Sequence, residues 1–224
     1  MTDEKVKGIV VKLIDYKDAD KLASIFTLEN GIISAKFTGV RRDKAKLKGV
    51  AQPFTFAEFN VISRGNNRSI ISADIIDNFA NILTDYNKTM CGYIVLDMIR
   101  SILPIEKREE DIFLLTLSSL KDIENNNELV ATIKYILRFL AFSGMQIVLP
   151  ETDYVYFDSM TGEFSTSRNT GASEIDKRVY STLKNIERGQ AIESPDNTLR
   201  QILRLLHNVI YIRFGEDIKS FAFI

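Results

Sequence analysis

Apolar and polar positions alternate along roughly the first third of the chain and recur at helical spacing after it. Val6-Lys7-Gly8-Ile9-Val10-Val11-Lys12-Leu13-Ile14 is β-branched, and strict alternation places Lys7, Ile9, Val11 and Leu13 on one face of a strand. A polar turn over Asp15-Tyr16-Lys17-Asp18-Ala19-Asp20 leads to a second strand, Lys21 to Leu28. Asn30-Gly31 has the chemistry of a tight hairpin, because both residues tolerate positive φ. Ile32 to Val40 returns as a third strand, Pro53 to Ser63 is a fourth, and Ser69 to Ile76 is a fifth, entered through Arg64-Gly65-Asn66-Asn67-Arg68. Five short strands in this span predict a small closed or nearly closed barrel.

After Asp77-Asn78 the period lengthens. Ile82, Tyr86, Met90, Tyr93, Asp97 and Arg100 mark a first helix ending before Pro104, a second lies near 109–124, and a third runs from Glu128 to Phe142 with Gly144 as its stop. Residues 145–171 are irregular, with a short hairpin expected around Tyr154-Val155-Tyr156-Phe157 and Gly162-Glu163-Phe164. Ser173-Glu174-Ile175-Asp176 caps a helix ending near Gly189, and Ser194-Pro195 starts the last helix, with Ser as cap, Pro in the first turn and Gly215 as the stop. The boundary near residue 78 divides the chain into a β module (1–78) and a helical module (79–224). Neither an internal repeat nor a low-complexity tract interrupts them.

Composition narrows the chemistry. Of 224 residues, 45% are hydrophobic and 26% charged, a globular balance, and the net charge is −1. Any site for a polyanion must therefore come from local clustering. One cysteine, Cys91, and one histidine, His207, supply neither an intrachain disulfide nor a Cys/His metal site. The opening Met-Thr-Asp-Glu-Lys lacks a signal-peptide core and the most apolar helical run is broken by Asp97 and Arg100, which points to a cytoplasmic protein with no membrane partner.

Charge clusters in one place. Lys36, Arg41, Arg42, Lys44, Lys46 and Lys48 fall together, opposed within that stretch by Asp43 alone. Cations that neutralise phosphates release condensed counterions and give salt-sensitive affinity for nucleic acid. Phe37, Phe54 and Phe56 flank the cluster; rings there could stack on unpaired bases, but alternation assigns them to the barrel core. Catalytic groups are scarce. Asp15, Asp18 and Asp20 share a turn that reads as solvated, with no companion His, phosphate-binding loop or calcium-loop pattern. His207 sits one step past an apolar stripe and Cys91 among core positions, and no nucleophile elbow or HExxH helix is present. A nuclease would need a carboxylate cluster that these spacings do not assemble. Lys134, Arg138, Arg200 and Arg204 lie on two strongly apolar helices, where pattern alone makes them cations snorkelling from the edge of the core.

Several segments, in order, resemble the bacterial recombination mediator family RecO. They include Gly8-Ile9-Val10-Val11-Lys12, Asp20-Lys21, Gly39-Val40-Arg41-Arg42, Lys46-Leu47-Lys48-Gly49 and Gln52-Pro53-Phe54. Tyr135-Ile136-Leu137-Arg138-Phe139-Leu140-Ala141-Phe142-Ser143-Gly144 and Leu199-Arg200 through Lys219-Ser220-Phe221 continue the likeness. The resemblance implies an α+β fold: a five-stranded OB-fold barrel followed by a mainly helical domain. It implies a non-enzymatic mediator in DNA repair that binds single- and double-stranded DNA, anneals strands and helps load recombinase, with a nucleoid-associated location. Its implied partners are RecR and the acidic C-terminal tail of single-stranded-DNA-binding protein, and the latter turns Arg138, Arg200 and Arg204 into candidate peptide contacts. Many members carry a four-cysteine zinc motif. Here the matching stretch at about 145–171 has neither Cys nor His, so a degenerate region without zinc or other cofactor is expected. The competing reading is an OB-fold adaptor for a protein or RNA.

Overall fold

The computed structural model describes all residues other than Met1, Asn66, Asp153, Tyr154 and Thr170, and only the backbone of Thr2. The Asn66 position of the expected turn and the Tyr154 position of the expected hairpin lie outside the described residues. The chain forms two compact units, Met1–Ala80 with Met98–Leu114 and Asn81–Asp97 with Leu115–Ile224.

In the first unit, strands β1 (Thr2–Tyr16), β2 (Asp20–Thr27), β3 (Gly31–Phe37), β4 (Phe56–Arg64) and β5 (Asn67–Asp77) close a barrel in the order β1-β2-β3-β5-β4. β4 returns to β1, and β3 pairs with β5 in parallel over a short stretch, Lys36 opposite Ser69 and Phe37 opposite Ile70. This is the five-stranded OB arrangement. Its interior is filled by alternating β-branched, small and aromatic side chains, among them Val10, Ile25, Ile33, Phe37, Phe59 and Val61. The alternation expected along β1 does not survive intact. A bulge between Val10 and Lys12 inserts Val11, so that Leu13 packs against the core that holds Val6 and Val10. Strand β3 also stops three residues short of Val40 and β4 starts three after Pro53, because the intervening chain turns repeatedly.

In the second unit the helices are α1 (Tyr86–Ile102) and α2 (Glu110–Asn125), each shared with the first, then α3 (Glu128–Phe142), α4 (Lys177–Glu187) and α5 (Asp196–Phe214). Asn127 caps α3 by accepting the Val130 N–H, and Asp176 caps α4 by accepting those of Arg178 and Val179. Helix α5 departs from expectation: Pro195 itself holds the cap position without a side-chain hydrogen bond, and the Ser194 hydroxyl lies 3.4 Å from that of Thr182. Gly215, at a φ of +72°, ends α5 as expected.

The irregular region folds into a small sheet, β6 (Tyr156–Asp158), β7 (Glu163–Ser165) and β8 (Ala172–Glu174), ordered β7-β6-β8. The hairpin is the one expected; β8 takes Ser173 and Glu174, which read as capping residues, and leaves Asp176 alone to cap α4. Phe157, Phe164 and Tyr180 form an aromatic row with centroids 5.0 and 6.3 Å apart, which ties the sheet to α4. The Tyr180 hydroxyl donates to the Pro150 carbonyl, and Glu151 takes Lys184 at 2.9 Å together with Arg188. Those two cations hold the Glu151 carboxyl down at about 2.

Candidate nucleic-acid interface

Residues 38–55, between β3 and β4, form a chain of tight turns rather than a loose loop. The N–H groups of Arg42, Ala45 and Lys48 donate to the carbonyls of Gly39, Arg42 and Ala45, each three residues back. Apolar residues pin the turns down: Val40, Val50 and Ala51 belong to the barrel core, with Leu47 packed against it. Phe54 closes the segment in a left-handed conformation, φ +69°, fully buried, with its N–H on the Val10 carbonyl. With the apolar positions committed inward, Arg41, Arg42, Lys44, Lys46 and Lys48 are exposed. Phe37 and Phe54 are wholly buried and Phe56 packs edge-on against Phe113, centroids 6.1 Å apart, so these rings are core.

The six cations divide among three concavities. Lys36 lines a groove of about 890 Å³ across the barrel together with Tyr16, Lys17, Arg64 and Arg68. Arg42, Lys44 and Lys46 line a cavity of about 370 Å³ with Leu47. Thr38 and Ile71 line both, so groove and cavity are contiguous. Ile71 is half exposed at their junction, at a bulge in β5. Arg41 and Lys48 instead line a smaller recess with Asp15 and Lys21.

Lys17, Arg64 and Arg68 were not among the sequence candidates. Their signal was present: both hairpin turns at this end of the barrel carry cations. What the sequence concealed was their company. The aspartates of the first turn are not simply solvated. Asp20 accepts the Gly39 N–H at 2.7 Å and stands 3.8 Å from the Lys36 ammonium, while Asp15 lies 3.4 Å from Arg41. Arg68 pairs with Glu106 at 2.5 Å. Among the described residues, Arg42, Lys44, Lys46, Lys48, Lys17 and Arg64 have no carboxylate partner; Lys17 lies over the Tyr16 ring, 5.4 Å from its centroid. Chemically, the surface offers uncompensated cations around a concave path, with an apolar residue midway. It suits a flexible polyanion.

The helical cations are placed differently. Arg138 on α3 and Arg204 on α5 are exposed, whereas Arg200 is half-buried and donates to Asn87 at 3.0 Å and toward the Ile224 carbonyl. A cavity of about 500 Å³ in this unit is lined by Asn127, Val130, Ile192 and Leu199, not by these arginines. His207 stacks on Phe221 with centroids 4.4 Å apart, and Cys91 is buried with its thiol pushed up to about 12 by desolvation. Among the described residues, no three His, Cys, Asp or Glu gather as for a metal, and no helix is long and apolar enough to cross a membrane.

Two family models match the chain, one after the other. The family model described as Recombination protein O N terminal matches residues 1–79, and that described as Recombination protein O C terminal matches residues 83–221. Similar proteins include a DNA repair protein RecO of Clostridium novyi, 25% identical across 96% of this chain and 91% of its own length. One of Bacillus cereus is 25% identical across 99% of this chain and 96% of its own. One of Caldicellulosiruptor saccharolyticus is 32% identical, over 62% of this chain and 58% of its own.

Proposed function

The chain belongs to the RecO family of DNA repair proteins, and on that premise we infer that it is a non-enzymatic recombination mediator whose barrel holds DNA by its phosphates. The observation that carries this reading is the contiguity of the barrel groove, with Lys17, Lys36 and Arg64, and the cavity of Arg42, Lys44 and Lys46. A strand laid along that path meets cations on both sides of Thr38 and Ile71. Single strands follow such a surface readily because their backbone bends; a duplex engages the exposed rim formed by Arg41, Arg42, Lys44, Lys46 and Lys48. Annealing follows from neutralisation. A strand whose charge is partly cancelled repels its complement less, and the concentration of both on one protein raises their encounter rate. The helical unit, in this account, receives RecR and the acidic tail of single-stranded-DNA-binding protein. Arg138 and Arg204 are its cationic contacts, and Arg200 serves chiefly to hold α5 against Asn87. Recombinase loading at the nucleoid, in the cytoplasm, is the outcome.

The test is strand annealing. Wild type speeds pairing of complementary oligonucleotides without nucleotide or metal, and the triple variant Arg42→Ala/Lys44→Ala/Lys46→Ala loses most of that acceleration while keeping its folded circular-dichroism spectrum. Unimpaired annealing by the variant sinks the assignment.

A further inference from the structure

We propose that Glu106 is an anionic gate on the barrel groove, a carboxylate that occupies Arg68 in the place a DNA phosphate would take; this rests on the reading of the groove as a phosphate path.

The segment after α1 is laid on the barrel with little freedom. Ile105 forms a parallel bridge with Ile32, and the Glu106 N–H donates to the Ile32 carbonyl at 3.1 Å. Beneath it Gly31 has no side chain, and a Cβ there would overlap the Lys107 carbonyl. The absent side chain is what lets the segment lie so close. Glu106 itself adopts a φ of +58°, a left-handed conformation that a residue with a β-carbon enters only when its surroundings impose it. The result of that twist is a carboxylate 2.5 Å from the Arg68 guanidinium. Arg68, the second residue of β5, lines the groove with Lys36 and Arg64, and its side chain is only a quarter exposed.

A guanidinium offers its paired N–H donors to carboxylate and phosphate with the same geometry, so the two anions compete for it. While Glu106 is engaged, Arg68 is neutralised and the groove's end is less attractive to a phosphate. Of the carboxylates that counter cations of this surface, Asp15 belongs to β1 and Asp20 to β2, strands of the barrel itself. Glu106 comes from a separate segment, which can release Arg68 without unpairing any barrel strand. Loss of the Glu106 carboxylate therefore opens Arg68 to one further phosphate and leaves the barrel intact.

The experiment measures affinity for a fluorescent oligothymidine against salt, using the full chain as wild type, Glu106→Gln, Glu106→Gly, Arg68→Ala and the double variant Glu106→Gln/Arg68→Ala. Glu106→Gly is the second variant because glycine relieves the left-handed backbone and so keeps the fold safe while removing the charge. Both single Glu106 variants should bind about two- to fivefold more tightly at moderate salt, the range of an exposed ion pair. Their log–log salt slope should steepen by about 0.7, one phosphate contact more. Arg68→Ala alone should change little, and in the double variant the gain should vanish. Unchanged affinity and slope in both Glu106 variants, or a gain that persists without Arg68, overturns the gate. A wild type that does not bind the oligonucleotide at all overturns instead the phosphate reading beneath it.

Discussion

Single residues carry several of the decisions in this barrel, and Gly31 is the plainest case. Its φ of +66° suits the turn after β2, which the Asn30-Gly31 pair announced, but a second constraint comes from outside the turn: the Lys107 backbone lies against its α-carbon. Gly31→Ala incurs both the left-handed penalty and a clash with main chain that cannot rotate away. We expect a loss of about 1–3 kcal/mol, more if the segment is pushed off, read as a lower urea midpoint at unchanged slope. A midpoint equal to wild type would mean that the segment does not rest there. The turn was legible in the sequence because its chemistry is local; the overlay by Lys107, 76 positions along, was not. The same distinction applies to the cations. Their clustering at 36–48 could be read directly, whereas the partners of Lys36, Arg41 and Arg68, namely Asp20, Asp15 and Glu106, are neighbours only once the barrel closes.

At the scale of elements, the strands and helices with a full period of apolar residues fall where the pattern put them, α3 to the residue. Departures have physical causes. The bulge at Val11 changes which side chains face inward without changing composition, so alternation could not reveal it. β8, Ala172–Glu174, has no apolar residue larger than alanine and becomes a strand only because β6 offers it an edge. The sheet β6–β8 also shows how this chain holds a region whose sequence carries neither Cys nor His. Its ties to α4 are the aromatic row and the Glu151 clamp on Lys184 and Arg188. The Glu151 carboxyl is depressed from its ordinary 4.5 to about 2, so the folded arrangement favours the charged form. The clamp's contribution is therefore complete above pH 4.5 and fades as pH falls toward 2. Hydrogen exchange of the amides of β6 and β7 should accelerate across that interval relative to the barrel amides, and Glu151→Gln should remove the difference. Exchange that ignores Glu151→Gln would assign the anchoring to the aromatic row alone.

For the molecule as a whole, the net charge of −1 gives no general attraction for DNA, so the proposed function rests on how the charge is distributed. The fold commits the apolar residues of 38–55 to the barrel core and turns Arg42, Lys44 and Lys46 outward beside the groove of Lys17, Lys36 and Arg64. The most direct measurement of that claim is the salt dependence of single-stranded-DNA affinity, compared between wild type and Arg42→Ala/Lys44→Ala/Lys46→Ala. Each lost phosphate contact should flatten the log–log slope by about 0.7, so the triple variant should lose about 2 in slope, with its weakening greatest at low salt. A triple variant with the slope of wild type would contradict the account, because these cations would then not be where DNA is held.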